Sequence, residues 1–180
     1  MTTTLDEQHP GVAEPLDVDH LVAIATGLAR CHALWVDHVG HDGPTREWVR
    51  LIAHARYEAW LIGWPPAHAT DAHDHGGSTG ALVVVQGELQ ERTLGPLGHV
   101  RQLRAGDAIT ISADVVHDVA TPAGASATSI HVYSPPLASM TFYDERGLPD
   151  AVRPIDDNSA LLDRHEMARV FHPSSGGQRG

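Results

Sequence analysis

DAHDHGGSTGALVVVQG, residues 71–87, sets a His-x-His pair just ahead of a run of apolar, β-branched residues that a glycine closes. In extended chain, residues two apart project to the same face. His73 and His75 can therefore reach one ion together, while Asp74 points the other way. Two imidazoles hold a transition metal poorly, so a third ligand has to come from elsewhere. GDAITISADVVHDV, residues 106–119, supplies a candidate: a Gly-Asp turn, a short β-type run and then His117.

Outward from this stretch the chain reads as mainly β. Strands are expected over 57–64, 81–86, 88–93, 98–103, 108–112, 116–121, 127–133 and 139–143, with Gly-, Pro- and Asp-rich turns at short intervals. Many short strands punctuated in this way indicate a sandwich or a barrel. Gly87 is read as the end of one of them. Ahead of the strands, Leu21, Ile24, Ala25, Leu28, Leu34 and Trp35 recur at roughly helical spacing, with Asp17 or Asp19 as the N-cap. A second short helix is read over 45–52. The expected organisation is a flexible arm over 1–16, a single domain over 17–155 including the N-terminal helices, and a tail over 156–180. That tail carries one possible helix over 160–170 and a disordered end.

Composition limits the chemistry. All twelve basic residues are arginine, so neither a Schiff base nor a pyridoxal phosphate anchor can form. Each arginine is instead a candidate for gripping a carboxylate with its two-pronged guanidinium. A net charge of −11 argues against nucleic acid or anionic lipid as a partner. No apolar run is long enough to span a membrane, and MTTTLDEQHPG lacks the features of a secretory signal. The single cysteine, Cys31, cannot form an internal disulfide, and a cytoplasmic location is the default expectation. Cys31 is read as a small packed residue of the first helix.

The two histidine stretches resemble the motifs of the cupins, which fold as a double-stranded β-helix, or jelly-roll, barrel. His73, His75 and Gly87 fit the first motif, but Gly80 stands where that motif has glutamate. Gly106 and His117 fit the second, with Ser112 and Asp114 in place of its usual proline and glycine. A shell of three neutral imidazoles leaves a divalent ion its full charge, which suits an anionic ligand and deprotonates a bound thiol. A further stretch narrows the resemblance. In SIHVYSPP, residues 129–136, the polar side chains of Ser129, His131 and Tyr133 alternate onto one strand face. Three polar groups there can satisfy one another as a hydrogen-bond chain.

Together with the spacing from Trp64 to His73-Asp74-His75, SIHVYSPP makes residues 48–143 similar to the cysteine dioxygenase family of thiol dioxygenases. The resemblance implies iron(II) on His73, His75 and His117, and a catalytic Ser129–His131–Tyr133 relay beside it. It implies a cis Ser134–Pro135 bond, with Trp64, Tyr133 and an arginine at the substrate. Arg50, in WVRLI, is the better match for that arginine, and Arg56 competes with it. Animal members crosslink a cysteine to the tyrosine; Gly80 occupies that place, so no crosslink is expected. The implied activity is addition of both atoms of O2 to the sulfur of a small thiol, cysteine first and 3-mercaptopropionate or another mercapto-acid as the alternative. Small thiol and O2 are the expected partners and a monomer the expected state. A zinc or manganese cupin isomerase, lyase or hydrolase, or a cupin that only binds a small molecule, stays open on the motifs alone.

Overall fold

The structure, a computed structural model, describes residues 14–155. The expected tail, its helix over 160–170 and nearly all of the expected arm lie outside them. Residues 14–16 of that arm are tied to the barrel: Leu16 N donates to Ser134 Oγ at 2.8 Å, and Arg56 Nε donates to the Glu14 carbonyl at 2.7 Å.

Helix α1 spans Val18–Arg30. Asp17 caps it from an extended backbone, its side chain accepting from His20 N at 3.0 Å. Leu21 and Ala25, four apart, are wholly buried. Their face packs with Leu61, Val83, Ile130 and Val132 on the outside of the barrel. Burial of a leucine such as Leu21 stabilises the fold by about 2 kcal/mol. The helix stops at Arg30, and His32–Leu34 forms a 3₁₀ turn, so Leu34 and Trp35 do not continue it. Cys31 is the C-cap and is exposed, which corrects its reading as a packed residue.

Among the described residues nine strands follow: β1 Glu47–Ala53, β2 Glu58–Trp64, β3 Thr79–Thr93, β4 Val100–Arg104, β5 Ala108–Ile111, β6 His117–Ala120, β7 Ala127–Ser134, β8 Ser139–Tyr143 and β9 Pro149–Pro154. The first seven form one antiparallel sheet, and β8 pairs with β9. β3 is the shared member, bonded to β4, β5, β6 and β7. This is the jelly-roll barrel of a cupin, entered through α1.

Two further readings of the sequence need correction, and one strand was missed. Residues 47–53 are strand β1, not helix; they pair with β2, and Trp48 packs on the barrel core. Pairing with β2 decides the matter over a helical pattern only two turns long. Gly87 does not end a strand. The ladder shifts register between Val84 and Gln86, and β3 bends there and runs on to Thr93. Gly87 has φ +75°, and a Cβ on it would lie 2.0 Å from the Ser126 carbonyl oxygen. Strand β9 was not expected: its two prolines and exposed faces carry little strand signal.

Side chains of β2 and β7 are buried on both faces of the sheet. Ala59, Leu61, Ile130 and Val132 meet α1 outside, while Trp60, Ile62, Trp64 and Tyr133 face the interior. The register pairs Trp60 with His131 and Ile62 with Ser129, so the polar alternation of β7 lies inside the barrel.

Candidate metal centre

His73 and His75 lie just ahead of β3, in an irregular extended segment that is not part of that strand. The backbone of this segment docks on both sides. His73 N donates to the His117 carbonyl at 2.9 Å and His117 N returns the bond at 3.0 Å. On the other side, Asp74 N donates to the Thr141 carbonyl and Tyr143 N to the Ala72 carbonyl, both at 2.9 Å. His73 and His117 are thus directly opposed backbone partners, which brings the two halves of the site together.

Asp74 locks the arrangement from outside. Its Oδ1 accepts from Gly76 N at 2.9 Å and Thr141 N at 3.2 Å, and its Oδ2 accepts from Tyr143 Oη at 2.7 Å. Partial burial pushes the Asp74 carboxyl up, but these bonds outweigh it and the net shift is downward. The same bond pushes the Tyr143 phenol up to about 12. Gly76 completes the turn with φ +58°, and a Cβ there would sit 2.4 Å from the Ser139 carbonyl oxygen. Alanine at Gly76 is expected to destabilise the protein by about 3 kcal/mol in urea unfolding, through left-handed backbone and overpacking combined. An unchanged midpoint would show that the turn tolerates a side chain.

The three histidines converge as the sequence implied. One ring nitrogen from each of His73, His75 and His117 lies within 4.8 Å of the others, and all three residues are buried. Burial holds His73 and His75 well below the ordinary histidine value, and charge on His117 would lower them further. Both rings are therefore neutral at physiological pH and present lone pairs. His73 Nδ1 lies 2.8 Å from the Asp71 carbonyl oxygen. A carbonyl only accepts, so Nδ1 carries the proton and Nε2 is left for an ion. His117 Nε2 is buried with no hydrogen-bond partner, and so is His75 Nδ1. Such orphaned atoms are rare in proteins, and an ion shared by the three rings would satisfy His117 Nε2. An all-imidazole donor set suits iron, zinc or another first-row ion.

Across the cavity the chain Ser129–His131–Tyr133 is continuous. Ser129 Oγ is 2.9 Å from His131 Nε2, and His131 Nδ1 is 3.0 Å from Tyr133 Oη. Trp64 extends it, donating from Nε1 to Ser129 Oγ at 2.8 Å. An indole N–H can only donate, so Ser129 Oγ accepts from Trp64 and keeps its own hydrogen to give. When Ser129 gives it to His131 Nε2, His131 donates from Nδ1 to the phenol oxygen and the Tyr133 hydroxyl hydrogen is left for the cavity; in the other tautomer the phenol donates to His131. Burial lowers His131 to about 3, which keeps the ring neutral as both tautomers require. Burial also raises Tyr133, which stays a phenol. Gly80 pairs with Tyr133 across β3 and β7, and a Cβ on it would meet the tyrosine ring at 3.0 Å. Glycine at 80 leaves room for this ring position, and no thiol lies against the ring to crosslink it.

The arginine on the cavity wall is neither of those expected. Arg46 lines it, almost fully buried, with its guanidinium 4.9 Å from the centre of the Trp64 ring. Its charge acts on His73, His131 and Tyr133. Arg50 instead lies over Trp60 and 3.8 Å from Glu58, and Arg56 reaches the Glu14 carbonyl; neither lines the cavity. Reading 45–52 as helix hid the signal. Arg46 directly precedes β1, whose pairing begins with Glu47 opposite Gly63, and this sets it beside Trp64. The cavity is small, about 20 Å³, with Ile62, Val119, Met140 and Phe142 as its apolar walls.

Sequence reading also missed an acid behind the site. Glu91 of β3 is buried, accepts from His117 Nδ1 at 2.8 Å, and is bonded through Oε2 to Arg101 Nε. Burial pushes Glu91 up, but the bonds from His117 and Arg101 outweigh it, so the carboxyl is held below its ordinary value.

Among the described residues no helix is long and apolar enough to cross a membrane. The Ser134–Pro135 bond is cis. The family model for cysteine dioxygenase type I matches residues 12–146 of the chain. Among solved structures, an uncharacterised protein with a double-stranded β-helix domain from Klebsiella pneumoniae is 15% identical with a TM-score of 0.54, over 61% of this chain and 94% of that one. A recombinant oxalate oxidase in complex with glycolate is 17% identical with a TM-score of 0.51, over 61% of each chain. At these identities the likeness is one of fold.

Proposed function

The chain belongs to the cysteine dioxygenase type I family, and from that premise we propose that this cupin-type metalloenzyme is an iron(II)-dependent thiol dioxygenase. It converts R–SH and O2 to the sulfinate R–SO2⁻ and a proton, with cysteine as the first substrate and 3-mercaptopropionate as the alternative. One observation carries the reading: of three clustered, buried imidazoles, those of His73 and His117 line one small cavity together with a phenol that ends a hydrogen-bond chain and a buried arginine.

His73, His75 and His117 would hold the iron, which supplies coordination positions for the thiolate and dioxygen and the redox step between them. Arg46 holds the substrate carboxylate through paired charge-assisted bonds and fixes the orientation of the sulfur. Tyr133 points its hydroxyl hydrogen at the charge that develops on oxygen. His131 and Ser129 keep that hydrogen available in the tautomer where Ser129 donates to His131 and His131 donates to the phenol oxygen. Met140 and Phe142 close the cavity to bulky thiols and to excess water.

Oxygen uptake by iron-loaded protein, measured across a panel of thiols, tests the reading. Uptake that depends on a small carboxylated thiol, with sulfinate formed mole for mole, supports it. Binding of thiol without oxygen consumption, or a preference for zinc with no uptake, overturns it. Tyr133→Phe is expected to lower kcat about tenfold, the value of one charge-directed hydrogen bond, while iron content stays at the parent level. Parent-like turnover in that variant would remove Tyr133 from the mechanism.

A further inference from the structure

We propose that Glu91 is a positioning residue of the metal centre, supplying through His117 the negative charge that the ligand shell itself lacks. The inference rests on the three-histidine reading above, though not on the identity of the substrate. Gly80 leaves the shell without a carboxylate, and Glu91 restores one a single hydrogen bond further out.

The geometry is specific. Glu91 on β3 faces Arg101 on β4 and Val119 on β6, and His117 lies two residues from Val119. The carboxylate therefore joins a strand on each side of β3. It is 1% exposed, and burying a charge that deeply is costly unless it is paired. Its two oxygens are shared between one cation and one ligand ring: Oε2 meets Arg101, and Oε1 meets His117. A carboxylate accepting at Nδ1 obliges that nitrogen to carry the proton. The other nitrogen, Nε2, is the buried atom with no partner in the protein. Glu91 thus fixes both the tautomer and the orientation of His117.

The other two ligands have no such support. His73 Nδ1 meets a backbone carbonyl, and His75 Nδ1 is one of the orphaned atoms. Only His117 has an anionic partner behind it, and such a partner makes an imidazole a stronger donor. The carboxylate acts on the ion without a coordination position being used, its charge shared with Arg101.

A plain cross-strand ion pair between Glu91 and Arg101 would explain the burial but not the bond to His117. The two roles differ in sign. Removing Glu91 should loosen metal; removing Arg101 leaves the carboxylate to His117 alone and should not loosen it. Cobalt(II) is the probe, its dissociation constant read by competition with a chelator, alongside thermal melting of the metal-free protein. The parent should bind one cobalt, and His73→Ala should bind none. Glu91→Gln should raise the dissociation constant about 10–100-fold. Arg101→Gln should lower the melting temperature without raising the dissociation constant. If Glu91→Gln fails to fold, Glu91→Gln with Arg101→Met removes both charges together and should show the same loss of affinity. Cobalt affinity within twofold of the parent in the Glu91 variants, or an equal loss in Arg101→Gln, overturns the inference while the metal centre stands. A parent that binds no cobalt overturns both.

Discussion

His117→Ala should leave a folded protein that retains no iron and consumes no oxygen. His117 is the ligand on which the site's two supports meet. Its backbone pairs with His73 in both directions, and its ring is braced by Glu91. Alanine keeps the backbone pair and deletes the donor nitrogen. Two imidazoles then remain, and two hold a transition metal poorly, so metal content falls to background. Iron per chain by elemental analysis, oxygen uptake with cysteine and a thermal melt decide the outcome together. Iron at the parent level in a folded variant would mean that the ion is held elsewhere, and the proposed mechanism would fall with it.

Arg46→Ala should lower kcat/KM for a carboxylated thiol roughly 100–1000-fold, with iron unchanged. Two charge-assisted bonds in a cavity closed to water contribute about 3–4 kcal/mol, and each 1.4 kcal/mol is about tenfold. The loss should be small for 2-aminoethanethiol, which has no carboxylate to hold, and that contrast separates substrate binding from general damage. Arg46→Lys should recover only part of the loss, because an ammonium cannot make the two parallel bonds. If both thiols lose activity equally, Arg46 is supporting Trp64 or the cavity wall rather than the substrate. If Arg50→Ala instead gives the selective loss, the expectation from the sequence was correct and the cavity must rearrange around substrate.

The pattern of success and failure in reading the sequence follows from how each signal is encoded. His-x-His, the Gly-Asp turn and the polar alternation in SIHVYSPP are local: a short window fixes both residue type and face. The barrel, the three-histidine cluster and the Ser129–His131–Tyr133 chain were legible for that reason. Arg46 was not, because its relevance depends on β1 being a strand, and only pairing with β2 makes it one. Glu91 was hidden differently. It sits in GELQERT, a window as polar as a solvated strand, and nothing there marks one of its two acids as buried. Its role comes from β6, 26 residues further along the chain. Trp64 was read as a substrate contact, whereas its indole also starts the hydrogen-bond chain; a donor-only group gains that meaning from the serine it meets across the sheet.

Strand β3 hydrogen-bonds to four others along its fifteen residues, with the Gly80–Tyr133 pairing near one end and the Glu91–His117 contact near the other. None of β4, β5, β6 and β7 can detach without stripping this central one, so the strands that carry His117 and Tyr133 melt together with it, whereas β8 and β9 pair with each other.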